Sequence, residues 1–186
     1  MLRLFIAWTI PEPLRREVEK AMGPLRTTLP RCSWVRPESF HLTFAFLGDQ
    51  PATVVPKIQD TLSPKLAEHP PFQVTLTGAG FFPSTVRPRV GWIAMEPGDR
   101  LIAIADETRK SLLRIGVQLD DRPFKPHLTL VRTKDRWSKL HADAFLTRLG
   151  GFRSTPVLVD HLSIYSSRLD PAGAIHSELV RLKLGG

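Results

Sequence analysis

The stretch HLTFAFLG at residues 41–48 is answered further along the chain by HLTLVR at residues 127–132. The echo extends upstream: RPESFHLTF and RPFKPHLTL align without a gap, with Arg36-Pro37 and Arg122-Pro123 at the same distance before His41 and His127. A His-Leu-Thr triplet is rare at this composition, so two copies in matched contexts point to two related halves. In an extended strand side chains alternate, which puts His41 and Thr43 on one face and Leu42, Phe44 and Phe46 on the other. His127 and Thr129 are separated from Leu128 and Leu130 in the same way. Each strand then offers an imidazole beside a hydroxyl, and its apolar face can anchor it in a core. If a pseudo-twofold axis relates the halves, the two His-Thr pairs face one another across a cleft.

Around these strands the pattern alternates between α and β. LRLFIAWTI (2–10) reads as a strand, and residues 11–29 as a helix opened by prolines, with Leu14, Val18, Ala21 and Leu25 inward. The strand at 41–47 is expected to stop at Gly48, and a helix follows within 51–67 carrying Val54, Ile58 and Leu62. FQVTLTGAGFF and RPRVGWIAME form a hairpin around residues 83–88, and a third helix spans 99–115, ended by Gly116. After the second motif come a helix at 138–149 and two strands at 156–165 and 174–184.

With 186 residues, 42% hydrophobic and 24% charged, the chain has the composition of a folded globular protein. Nothing in it marks a linker, so residues 1–186 are read as one domain made of two related lobes. No apolar run approaches the ~20 residues of a membrane span, and the start reads as a strand and not as a signal peptide. The single cysteine, Cys32, has no internal partner and reads as a structural thiol, which fits the cytoplasm. The net charge of +8 favours anionic partners, nucleic acid or phosphorylated metabolites. Its basic residues are dispersed, as on a folded surface and not a disordered arm.

Two imidazoles facing a common centre suit a reaction in which one proton is removed and another delivered. Phosphodiester cleavage is such a reaction: a neutral His takes a proton from attacking water, and a protonated His gives one to the leaving alkoxide. The threonine hydroxyls can donate to the non-bridging phosphate oxygens. A metal is not needed for this chemistry, and neither motif has an H-E-x-x-H or acidic cluster nearby. A lone His-Leu-Thr is usually a structural histidine with a surface threonine; the doubling reverses that balance.

The paired H-x-T-x motifs resemble those of the 2H phosphoesterase superfamily. Together with LRLFIAW, RPESFHLTFAFLGDQ, GAGFFPSTVRPRVGWIAM, KPHLTLVR and LSIYSSRLDPAGAIHSEL, they make the whole chain similar to its RNA 2′,3′-cyclic phosphodiesterase branch, also called the LigT or 2′-5′ RNA ligase family. The resemblance implies a bilobal α+β fold: two pseudo-twofold-related lobes of mainly antiparallel sheet, helices outside, and the motif strands lining a central cleft. It implies hydrolysis of an RNA 2′,3′-cyclic phosphate to a 2′-phosphomonoester and, in some members, joining of tRNA halves through a 2′-5′ linkage. Carried over, His41 is the proton donor, His127 the proton acceptor, and Thr43 and Thr129 the phosphate ligands, with no metal and no cofactor. The expected partner is RNA with a cyclic phosphate end, handled by a monomer. The alternatives are a 2′-5′ RNA ligase, a phosphodiesterase for another cyclic or 2′-linked nucleotide, or a non-catalytic nucleotide- or RNA-binding module on the same fold.

Arg132 matches a basic position of the family and is a candidate phosphate contact, although strict alternation puts it on the face opposite His127. Arg36 and Arg122 share the repeat without declaring a role. His69 and His141 read as solvated, His161 and His176 as structural, and Phe44 and Phe46 as core. At His176 many relatives carry tyrosine, so the pocket there departs from the family pattern.

Overall fold

Period-two and period-3.6 apolar runs alternate along the chain and become strands and helices in that order. The computed structural model describes residues 1–168, 170 and 174–185. The strands are β1 (Leu2–Thr9), β2 (Cys32–Trp34), β3 (His41–Gln50), β4 (Phe72–Pro83), β5 (Pro88–Glu96), β6 (His127–Thr133), β7 (Val157–Val159), β8 (His161–Arg168) and β9 (Ile175–Lys183). The helices are α1 (Glu12–Thr28), α2 (Val54–Leu66), α3 (Gly98–Arg114) and α4 (Lys139–Gly150). Local chemistry sets several of these bounds. Pro11 caps α1, and Pro13 sits in its first turn, where a missing N–H costs no hydrogen bond. Gly116, at φ +84, breaks the chain away after α3.

All strand pairs are antiparallel, and they form two sheets, β3-β1-β8-β9 and β2-β6-β5-β4-β7. The unit β1-α1-β3 is repeated as β5-α3-β6, each with its two strands paired side by side. After α2 the chain leaves the first sheet to pair β4 with β5, and after α4 it returns to pair β8 with β1. Neither half completes its own sheet, and one continuous apolar cluster runs beneath both, from Leu4 and Ile6 through Leu42 to Leu128 and Phe145. α1 packs on α4, and α2 on α3. The expected pair of mainly antiparallel sheets with helices is therefore observed.

Two expectations and one omission need correction. The apolar run at 156–165 is two strands, with β7 in the second sheet and β8 in the first, because Asp160 is where the chain crosses between them. β3 does not stop at Gly48; with Gly48 at φ +68 it bends and continues to Gln50. β2, three residues long, carries no periodicity of its own and exists because the edge of β6 offers it a partner.

The fourth correction matters most. In β3, Thr43 pairs with Ala7 and Ala45 with Ile6, so Phe44 is an extra residue, a β-bulge. In β6, Thr129 pairs with Trp92 and Val131 with Gly91, so Leu130 is extra at the equivalent place in the repeat. Each bulge buries two successive residues, Phe44 with Ala45 and Leu130 with Val131, and reverses the parity beyond them. Phe44 is core, stacked on Phe124 at 5.5 Å between centroids. Phe46 is not core; it is 43% exposed, on the face of His41 and Thr43. Arg132 likewise emerges on the face of His127 and Thr129.

The second bulge leaves its mark on the opposing strand. A Cβ on Gly91 would lie 2.7 Å from Val131 Cγ1 and 2.9 Å from the Phe145 ring. Gly91→Val is therefore expected to lower stability by ~2 kcal/mol through overpacking, read as a shift of the urea midpoint. Gly98→Ala, with open space around the added methyl, is the control and should stay within ~0.5 kcal/mol.

Candidate active site

His41 opens β3 directly after the short turn Pro37–Ser39, and its Nδ1 lies 2.7 Å from the Ser39 carbonyl oxygen. His127 opens β6, and its Nδ1 lies 2.6 Å from the Lys125 carbonyl oxygen. A carbonyl only accepts, so Nδ1 donates in both rings and the neutral tautomer leaves Nε2 as the available nitrogen. Turning Nδ1 back onto the chain two residues upstream aims Nε2 away from it, toward the open face. The repeat thus reproduces a hydrogen bond as well as a triplet of residues.

Thr43 and Thr129 sit half-buried on the same faces as their histidines. Among the described residues no protein hydrogen bond engages either hydroxyl, so both can donate to a ligand. Arg132 completes the group: its positive charge acts on both His41 and His127. His41 also lies within the field of His127, and β3 and β6 touch where the sheets meet. The five residues singled out in the two motifs are thus gathered on one surface.

The floor on which they stand was not legible in the sequence. Phe5, Ala7 and Tyr165 form a small apolar cluster separate from the main core, on the face of His41. The His41 ring lies 5.1 Å from Phe5, which stacks on Tyr165 at 5.3 Å, and Tyr165 shares a hydrogen bond with Thr9. His176, on β9, sets its ring edge-on to His41 at 5.3 Å and to Phe5 at 4.9 Å, which makes it a lining residue of the site. Around His127 the floor is Phe82 at 4.9 Å and Trp92 at 6.3 Å, with the Lys125 ammonium over both aromatic rings.

These surroundings favour neutral imidazoles. Burial pushes His41 down to about 4, aided by the charges of His176, His127 and Arg132 and opposed by the Ser39 carbonyl. Burial also lowers His127, with Lys125 and Arg132 adding to the effect and the Lys125 carbonyl opposing it. His176 is lowered by burial. A cluster of cations and desolvated imidazoles of this kind favours an anion beside it. Two Nε2 atoms, two hydroxyls and a guanidinium around one anion can take one proton, deliver another and hold the charge between.

Other polar residues are occupied elsewhere. Arg122 is exposed and clamps Asp120, His161 pairs with Asp160, and His141 closes a capping box with Ser138 at the start of α4. Cys32 is half-buried, and burial raises its thiol above the usual range, which makes it a poor nucleophile. Among the described residues no three His, Cys, Asp or Glu side chains converge as a metal-binding group, and no helix is long and apolar enough to cross a membrane.

Similar proteins carry this arrangement's fold across their whole length. The RNA 2′,3′-cyclic phosphodiesterase of Thermotoga maritima is 32% identical over 188 residues, covering 100% of this chain and 97% of the relative. The protein of that name from Thermus thermophilus is 30% identical over 200 residues, covering 100% and 91%. Among solved structures, a Thermus thermophilus protein superposes with a TM-score of 0.83 at 27% identity, covering 100% of this chain and 99% of its own. E. coli LigT, crystallised with 3′-AMP, superposes with a TM-score of 0.74 at 27% identity, covering 98% of both. A family model described as the 2′-5′ RNA ligase superfamily matches residues 10–171, and the chain belongs to that superfamily of 2H phosphoesterases.

Proposed function

We propose that the chain hydrolyses the 2′,3′-cyclic phosphodiester at an RNA end to a 2′-phosphomonoester, with its own side chains supplying the acid, the base and the phosphate ligands. The observation that carries this reading is the pair of histidines, each fixed with Nε2 outward by a carbonyl two residues upstream and each beside an unengaged threonine. The names of its relatives and the +8 net charge support it. The reading is of one unit of two related lobes, residues 1–186, acting as a monomer in the cytoplasm.

In the proposed reaction water attacks phosphorus while His127 Nε2 takes its proton. The P–O3′ bond breaks, and His41 Nε2–H delivers a proton to the departing 3′-oxygen. Negative charge grows on the non-bridging oxygens, which Thr43, Thr129 and Arg132 receive. A 5′-hydroxyl in place of water would join two RNA ends by a 2′-5′ bond at the same site, the second reading that the family description favours. Water at bulk concentration wins that competition unless the RNA positions its hydroxyl.

Both histidines start below the ordinary imidazole value, so His41 becomes an acid only when an anion arrives beside it. The phosphodiester is that anion, and its binding raises both pKa values toward neutrality.

Incubation with an oligonucleotide ending in a 2′,3′-cyclic phosphate, with EDTA present, should give a 2′-phosphate end; a 3′-phosphate would contradict the proposed bond cleavage. His41→Ala and His127→Ala should each lower kcat by ~10²- to 10⁴-fold with the fold intact by circular dichroism. Thr43→Ala and Thr129→Ala should each cost ~10²-fold, with Thr→Ser retaining most activity. Near-normal turnover by either histidine variant would sink the acid–base assignment. The pH profile of kcat/KM, which reports the free site, should have both limbs below the usual pKa of ~6.5, falling as pH rises above it. The kcat profile should lie further to the alkaline side, and a kcat/KM optimum above neutrality would show that the free imidazoles are not depressed.

A further inference from the structure

The likeness of the two motif strands runs past their threonines: HLTFAFLGDQ (41–50) and HLTLVRTKDR (127–136) align without a gap. Where the first half has Gly48 and Gln50, the second has Lys134 and Arg136, so the added positive charge is confined to the second half. Lys134 is one pleat step beyond Arg132, about 6.7 Å further along the chain, just past the end of β6.

β2 and β5 bring further cations to the same end. Ser33 pairs with Arg132 and Cys32 with Thr133, so the next residues outward on this edge are Arg31 and Lys134. Lys134 is close enough to β2 for its charge to act on the Cys32 thiol. On the other side of β6 the Thr133 hydroxyl donates to the Pro88 carbonyl oxygen at 2.9 Å, which sets Arg87, the residue before Pro88, at the same strand ends. The Arg87 backbone N–H donates to the Ser84 hydroxyl and holds it in the hairpin turn. Arg31, Arg87 and Lys134 are exposed, and among the described residues no salt bridge engages any of them or Arg132.

Sheet pairing does not favour this arrangement, because like charges opposite one another destabilise a ladder. The cations repel one another in the free protein, and an anion among them turns that repulsion into attraction. Arg132, one step inward, faces the reacting phosphate in the proposed reaction. The next phosphate of an RNA strand is joined to that one through a single nucleotide, and a step of this size is within a nucleotide's span.

We propose that Arg31, Lys134 and Arg87 bind the internal phosphodiester next to the cyclic end, so that the preferred substrate is an RNA strand and not a cyclic mononucleotide. The proposal rests on the cyclic phosphodiesterase reading and adds the direction in which the strand leaves the site, past Arg132 and over the adjoining ends of β2, β5 and β6. The first half has no counterpart: beyond its motif Gly48 replaces the lysine, and Asp49 stands opposite Arg3.

The test compares steady-state hydrolysis of a nucleoside 2′,3′-cyclic phosphate with that of a dinucleotide ending in the same group, at several salt concentrations. The wild type should have a ~10-fold lower KM for the dinucleotide at low salt, and the advantage should fade as salt rises. The double variant Arg31→Gln, Lys134→Gln should lose most of that advantage and lower the slope of log KM against log salt for the dinucleotide by about 1, with the mononucleotide constants within about twofold. Arg87→Gln should act in the same direction by a smaller factor, and Lys110→Gln, exposed on α3, should change neither substrate. The urea midpoint of the double variant should not fall, since removing like charges relieves their repulsion; a fall would contradict the repulsion on which the site rests. If the double variant changes both substrates equally, or neither, or if the wild type does not prefer the dinucleotide, the second phosphate site is overturned while the phosphodiesterase reading stands. If the wild type hydrolyses neither substrate, the parent reading fails, and that failure is visible before any variant is made.

Discussion

The extra residue just after each motif threonine, Phe44 in β3 and Leu130 in β6, governs the rest of the site. A regular strand would send the residue five positions after each histidine to the buried face. The bulges at Phe44 and Leu130 instead place two apolar residues in the core consecutively and bring Phe46 and Arg132 out beside the His-Thr pairs. The cost of a bulge is a locally broken ladder and a sharper twist. What it gives is a third side chain on the open face of a strand that would otherwise offer two there. Gly91 is part of the same arrangement, because the close approach of Val131 and Phe145 leaves no room there for a side chain.

The second constraint is electrostatic. Each imidazole is placed on aromatic rings and tied to its own backbone, which removes water from one side and fixes the tautomer. Arg132 and Lys125 then add positive charge, and on the first side His176 stands against His41. Such a group is uncomfortable when empty and is relieved by an anion. The pull toward an anion therefore resides in the free protein, before any ligand arrives.

Interleaving of the halves holds these parts at a constant distance. β4, the strand after α2, joins the sheet of the second motif, and β8, which follows α4 and β7, joins the sheet of the first. Separating the two histidines would therefore require breaking sheet pairing and the apolar cluster shared beneath both sheets. β8 also delivers Tyr165, and β9 His176, to the first motif from the far end of the chain.

Much of this was readable from the residues alone, for local reasons. That His41 and Thr43 share a face, as do His127 and Thr129, follows from the two-residue period of a strand and needs no neighbour. The helices at 11–29, 51–67, 99–115 and 138–149 followed from apolar spacing and from caps such as Pro11 and Gly116. The positions of Phe46 and Arg132 did not follow, because a bulge is a property of a strand paired with another, β3 with β1 and β6 with β5. Nor did the division of 156–165 between two sheets, since both pieces are apolar and only the location of their partners distinguishes them. The sequence determined which groups stand in pairs. The tertiary structure decided which face the residue beyond each bulge meets and how far burial lowers each imidazole, because both depend on atoms that are distant in the chain.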